Sequence, residues 1–464
     1  MEINKNIAHF FYKKVLNNLP FTPNDQQDEC LKKVSEFIIA GKKKRELFIL
    51  KGFAGTGKTS LMASIVQTMD AFRKNYVLLA PTGRASQVLS NYSGLLATTI
   101  HKEIYVANKF GSQKFQLNPQ KHSDTLFVVD EASMLSDADD KFSFFGSGNV
   151  MRDLLYYAYG GKNCKLLFLG DTAQLPPIDQ KNSPALDADV MKKYDVSISE
   201  FTLTQVARQA LESGILNNAT QLRQYIEDRT KPFTIQWTDD VIYIKPDQIL
   251  AQIEQSYNQI GIENTTVISY TNATANFYNR QIRTNILHKD DNLSVGDRIM
   301  ISRNDYYWLR EQSVRNVDFI ANGDVFVVMK IKKSQKIYDF KYVQVLLHSV
   351  EYNYDIEATV CLDTLYTDKT EQNAYILDKI FLDMNHKFED IHNKKERLQQ
   401  IINNDIYSSL QARFAYATTC HKAQGGQWKH VYIILDNTRP IDTDYLRWLY
   451  TAFTRAIEKV YVVF

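Results

Sequence analysis

Short apolar runs recur along this chain, each closing on a small or charged residue. In the first half they read "ELFILKG", "NYVLLAPT", "DTLFVVDEA" and "CKLLFLGDT", with helically spaced stretches between them. A second series reads "TTVISYTNA", "RFAYATT", "HVYIILD" and "KVYVVF". Apolar strands alternating with helices predict a parallel sheet covered on both faces. Two series predict two α/β domains. Within the second series the texture changes. "DVFVVMKIKK", "KYVQVLLHSV" and "DIEATVCLD" read as consecutive antiparallel strands, which predicts a small β-barrel inserted into the second domain. Beyond it, Leu377, Ile380, Phe381, Met384, Phe388 and Ile391 fall at helical spacing and predict an amphipathic packing helix. No internal repeat and no long low-complexity linker stands out.

Composition narrows the class without naming a function. At 464 residues the chain is too long for one core and suits two to four domains. Its 23% charged and 44% hydrophobic residues fit a globular protein. The four cysteines, Cys30, Cys164, Cys361 and Cys420, form no C-x-x-C pair, so neither a zinc site nor a disulfide framework is expected. A reducing, cytoplasmic location fits that usage. "MEINKNIAHFFYKK" lacks the apolar core of a signal peptide, and no apolar run is long enough to span a membrane. The net charge is only +2, so a nucleic-acid partner would need a local basic surface.

The chemistry begins at "ELFILKGFAGTGKTSL". Gly52–Thr59 fits G-x-x-x-x-G-K-T, between a buried strand and a helical pattern. Gly52, Gly55 and Gly57 let the backbone curl so that its N–H groups, with those of Thr56 and Ser60, face phosphate oxygens. Lys58 would bridge the terminal phosphates of ATP, and Thr59 would ligate Mg²⁺. "LFVVDEASM" ends its strand on Asp130-Glu131, suited to holding Mg²⁺ and to deprotonating the attacking water. "LLFLGDTAQLPPI" places Gln174 where an amide could sense the γ-phosphate. Two arginines are candidates for neutralising charge in the transition state: Arg208 in "LTQVARQ" and Arg455 in "WLYTAFTRAIEKV". If the nucleotide lies between two domains, both would act from the second.

With these residues and their order in view, the chain resembles a superfamily 1 helicase motor of the RecD/Dda/Pif branch, from about Phe21 to its C-terminus. The motifs run "FTPNDQQ", "GFAGTGKT", "APTGRAS", "TTIHKEI", "VVDEASM", "LGDTAQLPP", "LTQVARQ", "ISYTNATAN", "TTCHKAQGGQW" and "YTAFTRA". The Q-L-P-P spelling and the T-x-H-K-x-Q-G pattern select the branch. The resemblance implies two RecA-like P-loop domains with an SH3-like inserted barrel. The expected bounds are 1–200 for the first motor domain, 201–295 with 410–464 for the second, and 296–409 for the barrel and its helical segment. It implies 5′ to 3′ movement on single-stranded DNA, with fork or duplex DNA as substrate, no membrane partner, and a monomeric motor. Gln27 would read adenine, with its neighbour Gln26 as competitor. Gln424 and Gly425 would lie where nucleotide and DNA meet. Pro81, Thr82, Thr99 and His101 would hold the strand on the first domain, and Thr271, Asn272, Thr419 and His421 on the second.

Between "TTIHKEI" and "VVDEASM", about residues 105–120, lies a predicted pin hairpin. Phe110-Gly111-Ser112-Gln113 reads as its turn, with Phe110 and Phe115 projecting to stack on a base pair. No nuclease constellation is present. Two rival readings share most motifs: a translocase that remodels protein–DNA complexes with little unwinding, and a nucleotide-switched DNA clamp without real turnover.

Overall fold

The computed structural model describes residues 2–40, 45–107, 115–140, 143, 145–207, 213–230, 233–309, 312, 319–367 and 370–464. The chain divides into two units. One comprises Met1–Val241, Gln424–Gln427 and Arg439–Ala456; the other comprises Ile242–Ala423, Trp428–Thr438 and Ile457–Phe464.

Among the described residues the first unit has eight strands: β1 (Glu46–Gly52), β2 (Asn75–Ala80), β3 (Ala97–Thr99), β4 (Tyr105–Ala107), β5 (Phe115–Leu117), β6 (Thr125–Val129), β7 (Lys165–Gly170) and β8 (Ser197–Leu203). Six of them form one parallel sheet in the order β3-β2-β6-β7-β1-β8. The four predicted apolar runs supply β1, β2, β6 and β7. β8 carries no such run, because it is an edge strand and most of its side chains are not buried. It pairs with β1 through Leu203, so the first sheet continues past the boundary expected at residue 200. Phe48 and Leu50 of β1 pack on Leu61, Ile65 and Met69 of the helix Lys58–Ala71, and on Phe11 and Val15 of the helix Glu2–Asn18.

The second unit holds β9 (Val241–Ile244), β10 (Thr265–Ser269), β11 (Arg298–Ile301), β12 (Val325–Ile337), β13 (Phe340–Ser349), β14 (Asp355–Cys361), β15 (Leu410–Phe414), β16 (Ala417–Thr419), β17 (Trp428–Ile434) and β18 (Ala456–Val463). Strands β16-β10-β17-β18-β9 make a five-stranded sheet, and β11 to β15 close into a barrel. The architecture is therefore α/β, with two RecA-like sheets and an inserted barrel, as expected. One predicted strand is divided. "RFAYATT" supplies the end of β15 to the barrel and all of β16 to the sheet, so the barrel extends past its expected limit at residue 409. The break falls at Ala415-Tyr416, where Asn279 satisfies the turning backbone. Its amide oxygen accepts from Tyr416 N at 2.9 Å and Ala417 N at 2.8 Å, and its amide nitrogen donates to Ala417 O at 2.9 Å.

One hydrophobic core runs from the sheet into the barrel, joining Val267, Tyr432 and Tyr461 to Phe326, Val345 and Phe414. The predicted helix spans Thr370–Lys387 and ends before Ile391; Ile376, Ile380 and Met384 form its buried face.

The junction of sheet and barrel rests on Asp297, which is fully buried. Its carboxylate accepts from Arg283 Nε at 3.1 Å, Arg283 Nη2 at 2.9 Å, Tyr416 OH at 2.8 Å and Ser294 N at 2.7 Å, with Lys289 Nζ at 3.3 Å. Removing one partner of a buried ion pair strands the other charge in a low-dielectric medium. Asp297→Ala should therefore lower the unfolding free energy by about 3–5 kcal/mol, read from urea denaturation. A loss below about 1 kcal/mol, the worth of an exposed pair, would show that this junction does not hold the unit together.

Candidate nucleotide site

The glycine-rich loop leaves β1 at Gly52 and enters the helix at Lys58. Gly57 caps that helix with φ 87°, in the left-handed region that favours glycine. A Cβ there would also meet the Gln27 amide at 2.8 Å. Gln27 is the third residue of its own helix, which begins at Asp25. Its amide oxygen accepts from Asn24 N at 3.0 Å, while the Asn24 side chain accepts from Gln27 N at 2.9 Å. This reciprocal cap leaves the amide nitrogen to donate to Thr56 O at 3.0 Å. Gln27 therefore braces the loop directly. Gln26 lies elsewhere, accepting from Thr204 N at 2.9 Å and Gln205 N at 3.0 Å. Within the loop, Lys58 Nζ donates to Gly52 O at 2.5 Å and Phe53 O at 3.0 Å.

Parallel strands deliver the acids to the same edge. Asp130 follows β6, and Asp171 follows β7. Burial, reinforced by the neighbouring Glu131 carboxylate, pushes the Asp130 carboxyl up to about 6; the Glu131 N–H and Lys58 act in the opposite direction. Burial also raises Asp171, again opposed by Lys58. Carboxylates this poorly solvated are stabilised by a cation. Thr59 and Asp130 are the residues that would hold Mg²⁺. No cluster of three acidic, His or Cys ligands exists among the described residues, so phosphate oxygens and water would complete the ion's shell. Once bound, the ion would supply charge neutralisation on the phosphates.

Arg455 reaches this edge from the helix Thr443–Phe453. Its guanidinium is 4% exposed and stands 3.7 Å from Glu131 Oε1. It donates to Thr451 O at 3.1 Å, Gly426 O at 3.4 Å and Thr454 Oγ1 at 3.2 Å. The expectation placed Arg455 in the second domain; residues 439–456 instead pack with the first unit. Hydrogen bonds of Tyr450 with Ala54 and Asp171, and of Thr451 with Leu175, join this segment to the loops that leave the first sheet. Arg208, the other predicted finger, lies outside the described residues.

The loop after β7 is fixed at Leu175, whose N–H donates to Thr451 Oγ1 at 2.9 Å and whose carbonyl accepts from Gln424 Nε2 at 2.8 Å. Gln174 beside it is buried, and its amide oxygen has no partner among the described residues. A buried polar group of this kind calls for a ligand or water. Gly425, expected near the nucleotide, has φ 74° and packs against the "APTGRAS" stretch: a Cβ there would meet Ala85 at 2.6 Å and Thr82 at 3.2 Å.

Tyr450, in "WLYTAFTRAIEKV", is a site residue whose role no sequence pattern marks. Its buried hydroxyl accepts from the glycine-rich loop at Ala54 N, 2.9 Å, and donates to Asp171 Oδ2, 2.6 Å. One phenol thus ties the loop, the acid after β7 and the helix that carries Arg455. The available signal was its position five residues before that arginine.

The expected strand-holding residues form two similar modules. In the first unit, Pro81 follows β2, and Thr82 caps the helix Gly83–Ser93, accepting from Ala85 N at 3.2 Å. Thr99 ends β3 and caps Ile100–Ile104, accepting from Lys102 N at 3.3 Å; the register sets Ala80 beside Thr99. In the second unit, Thr271 caps Asn272–Gln281, accepting from Thr274 N at 3.1 Å. Thr419 ends β16 before the turn Cys420–Ala423, and the register sets Ser269 beside Thr419. Their sequences are "ATTIHK" at 97–102 and "ATTCHK" at 417–422, a repeat too brief to stand out along the chain. Burial lowers the His421 imidazole and pushes that of His101, which packs on Phe145 at 4.8 Å, down to about 4.

The pin hairpin has its arms, with Tyr105 opposite Leu117 and Ala107 opposite Phe115. Phe115 does not project. It is 5% exposed and packs on Phe145 at 5.0 Å, because the strand turns this side chain toward the domain. Phe110 and the expected turn lie outside the described residues.

A lysine in a glycine-rich loop, paired acids at strand ends and a buried arginine define a P-loop nucleoside triphosphatase. Comparison with known proteins carries this further. Residues 24–241 match an AAA domain, and residues 414–463 match a UvrD-like helicase C-terminal domain. An uncharacterised protein of Acanthamoeba polyphaga mimivirus is 24% identical over 94% of this chain and 99% of its own length. The ATP-dependent RecD2 DNA helicase of Deinococcus radiodurans is 31% identical over 37% of this chain, and the ATP-dependent DNA helicase Dda of Enterobacteria phage T4 is 24% identical over 56%. The chain spans 21% and 57% of the lengths of those two helicases. In both matched regions the chain is similar to superfamily 1B helicases of the RecD/Dda/Pif type.

Two substitutions probe the site. Glu131→Gln should abolish ATP turnover while nucleotide binding persists, because only the base is lost; substantial turnover would remove Glu131 from that role. Tyr450→Phe should lower kcat about 10- to 100-fold with little change in KM. That range corresponds to the ~1.5–3 kcal/mol of a hydrogen bond to a charged group. A raised KM with unchanged kcat would limit Tyr450 to nucleotide binding.

Proposed function

We propose that this protein hydrolyses ATP to move 5′ to 3′ along single-stranded DNA and unwinds the duplex ahead. The observation that carries the reading is the cluster of Lys58, Asp130, Glu131, Asp171 and Arg455 at one sheet edge. Glu131 takes the proton of the attacking water, Lys58 holds the β- and γ-phosphates, and Arg455 neutralises charge that develops on transfer. Gln174 contacts the γ-phosphate and Arg208 adds a second finger. Gln27 braces the glycine-rich loop beside the adenine.

Thr82, Thr99, Thr271 and Thr419 hold the strand, with Asn272, His101 and His421 near them. A capping threonine that accepts a backbone N–H keeps its own O–H to donate to phosphate. Such contacts carry no base preference, which suits movement along any sequence. The Q-L-P-P and T-x-H-K-x-Q-G spellings support the direction. No described helix is long and apolar enough to cross a membrane.

The burial of Phe115 favours the second reading, a translocase with little unwinding, because it leaves Phe110 as the remaining predicted wedge residue. One experiment separates these outcomes: ATP-dependent unwinding of duplexes with a 5′ or a 3′ overhang. The proposal expects unwinding from the 5′ overhang alone, and loss of it in Phe110→Ala with ATP turnover retained. Unwinding only from the 3′ overhang would overturn the direction. Movement without unwinding on either substrate would establish the translocase. Arg208→Ala should cut DNA-stimulated turnover by about 10³-fold or more, as loss of such a finger does; near-normal turnover would remove it from the site.

A further inference from the structure

The barrel carries a charged surface that neither the nucleotide site nor the threonine modules use. Between Met329 and Lys341 stand five lysines and one acid, in a chain whose net charge is only +2. They lie on the ribbon made by β12 and β13. β12 pairs with β11 only from Val325 to Val327. From Lys330 to Ile337 its described ladder is to β13 alone, Lys330 opposite Leu346 through Ile337 opposite Phe340. The ribbon therefore extends as an edge. Lys330, Lys332, Lys333, Lys336 and Lys341 are all exposed.

Two of the local acids are paired. Glu357 pairs with Lys332, and Asp339 pairs with Lys379 at 3.0 Å while also lying near Lys336. Asp363 accepts from the Lys341 backbone N–H at 2.6 Å and keeps its charge, and Asp383 lies near Tyr338 and Lys379; five lysines still outnumber these acids. Lys330, Lys333, Lys336 and Lys341 form no ion pair among the described residues. Lys336 and Lys341 stand directly opposite each other across the ladder. Like charges in that position destabilise a sheet. Lysines on an edge strand deter pairing with another chain, but that purpose needs no facing pair of cations. A polyanion laid along the ribbon would turn the repulsion into attraction.

We propose that this ribbon binds the phosphate backbone of duplex DNA. Six residues of extended chain separate Lys330 from Lys336, about 20 Å. Duplex DNA presents about one charge per 1.7 Å of axis, more than a single strand, and its major groove admits a two-stranded β-ribbon. Lysine ammonium groups are point charges without planar recognition, so the contact is independent of sequence. The proposal rests on the helicase reading. It gives that reading a grip on the duplex separate from the uncharged threonine grip on the single strand.

The test compares the intact wild-type chain with a Lys330→Gln, Lys333→Gln, Lys336→Gln triple variant. Binding is measured from about 50 to 200 mM salt, where phosphate contacts show most clearly, on a 5′-overhang fork and on the single strand alone. Each lost phosphate contact lowers the salt slope by about 0.9, so the fork slope should fall by about 2–3. Single-strand binding and single-strand-stimulated ATP turnover should be unchanged. An unaltered fork slope would overturn the proposal, as would equal loss on the single strand. Competition by polyglutamate for the wild type, with fork binding insensitive to the substitutions, would assign the ribbon to an acidic protein instead. Wild-type ATP turnover that ignores DNA would count against the helicase reading itself, so the two failures are distinguishable.

Discussion

Everything in the first unit is arranged around a costly placement: Asp130 and Asp171 stand in a poorly solvated edge beside Glu131. Burial opposes their charge, and Lys58 opposes that effect at both aspartates. Tyr450 adds a hydrogen bond to Asp171, and Arg455 approaches Glu131. A poorly solvated acidic edge of this kind would be further stabilised by a divalent cation. The same hydrogen bonds that steady the acids attach the C-terminal helix to the glycine-rich loop. Chemistry at the phosphate and the position of that helix are consequently linked through Ala54, Tyr450 and Thr451.

The second unit solves a different problem, the insertion of a barrel into a sheet. Its core is continuous across both parts, so the barrel is not a loosely tethered addition. Asp297 and Asn279 satisfy the polar groups at the crossover, where a chain leaving a barrel would otherwise bury unpaired backbone. Both units nevertheless repeat one device: two adjacent parallel strands, one ending on a threonine and the other followed two residues later by one, with a helical turn after each.

Apolar runs made the central strands legible, because a strand buried on both faces must be apolar throughout. β8 escaped, being a half-exposed edge. The division of "RFAYATT" escaped because one apolar stretch serves two sheets, and only the distant Asn279 marks the break. At the site, fixed spacing around Gly52–Thr59 and the carboxylates after strands could be read directly. Tyr450 could not, since its role exists only where three elements distant in sequence meet. Phe115 was misplaced because a hairpin pattern does not say which aromatic faces the domain; Phe145, thirty residues on, decides it.

The central claim is that the buried charge cluster hydrolyses ATP in response to a strand held by the threonine modules. The most direct measurement is steady-state ATP turnover of the intact chain as single-stranded DNA is titrated in, with Lys58→Ala as control. The account predicts a saturable rise in wild-type turnover and none in the control. A wild-type rate indifferent to DNA, or a DNA-dependent rate that survives Lys58→Ala, would contradict it.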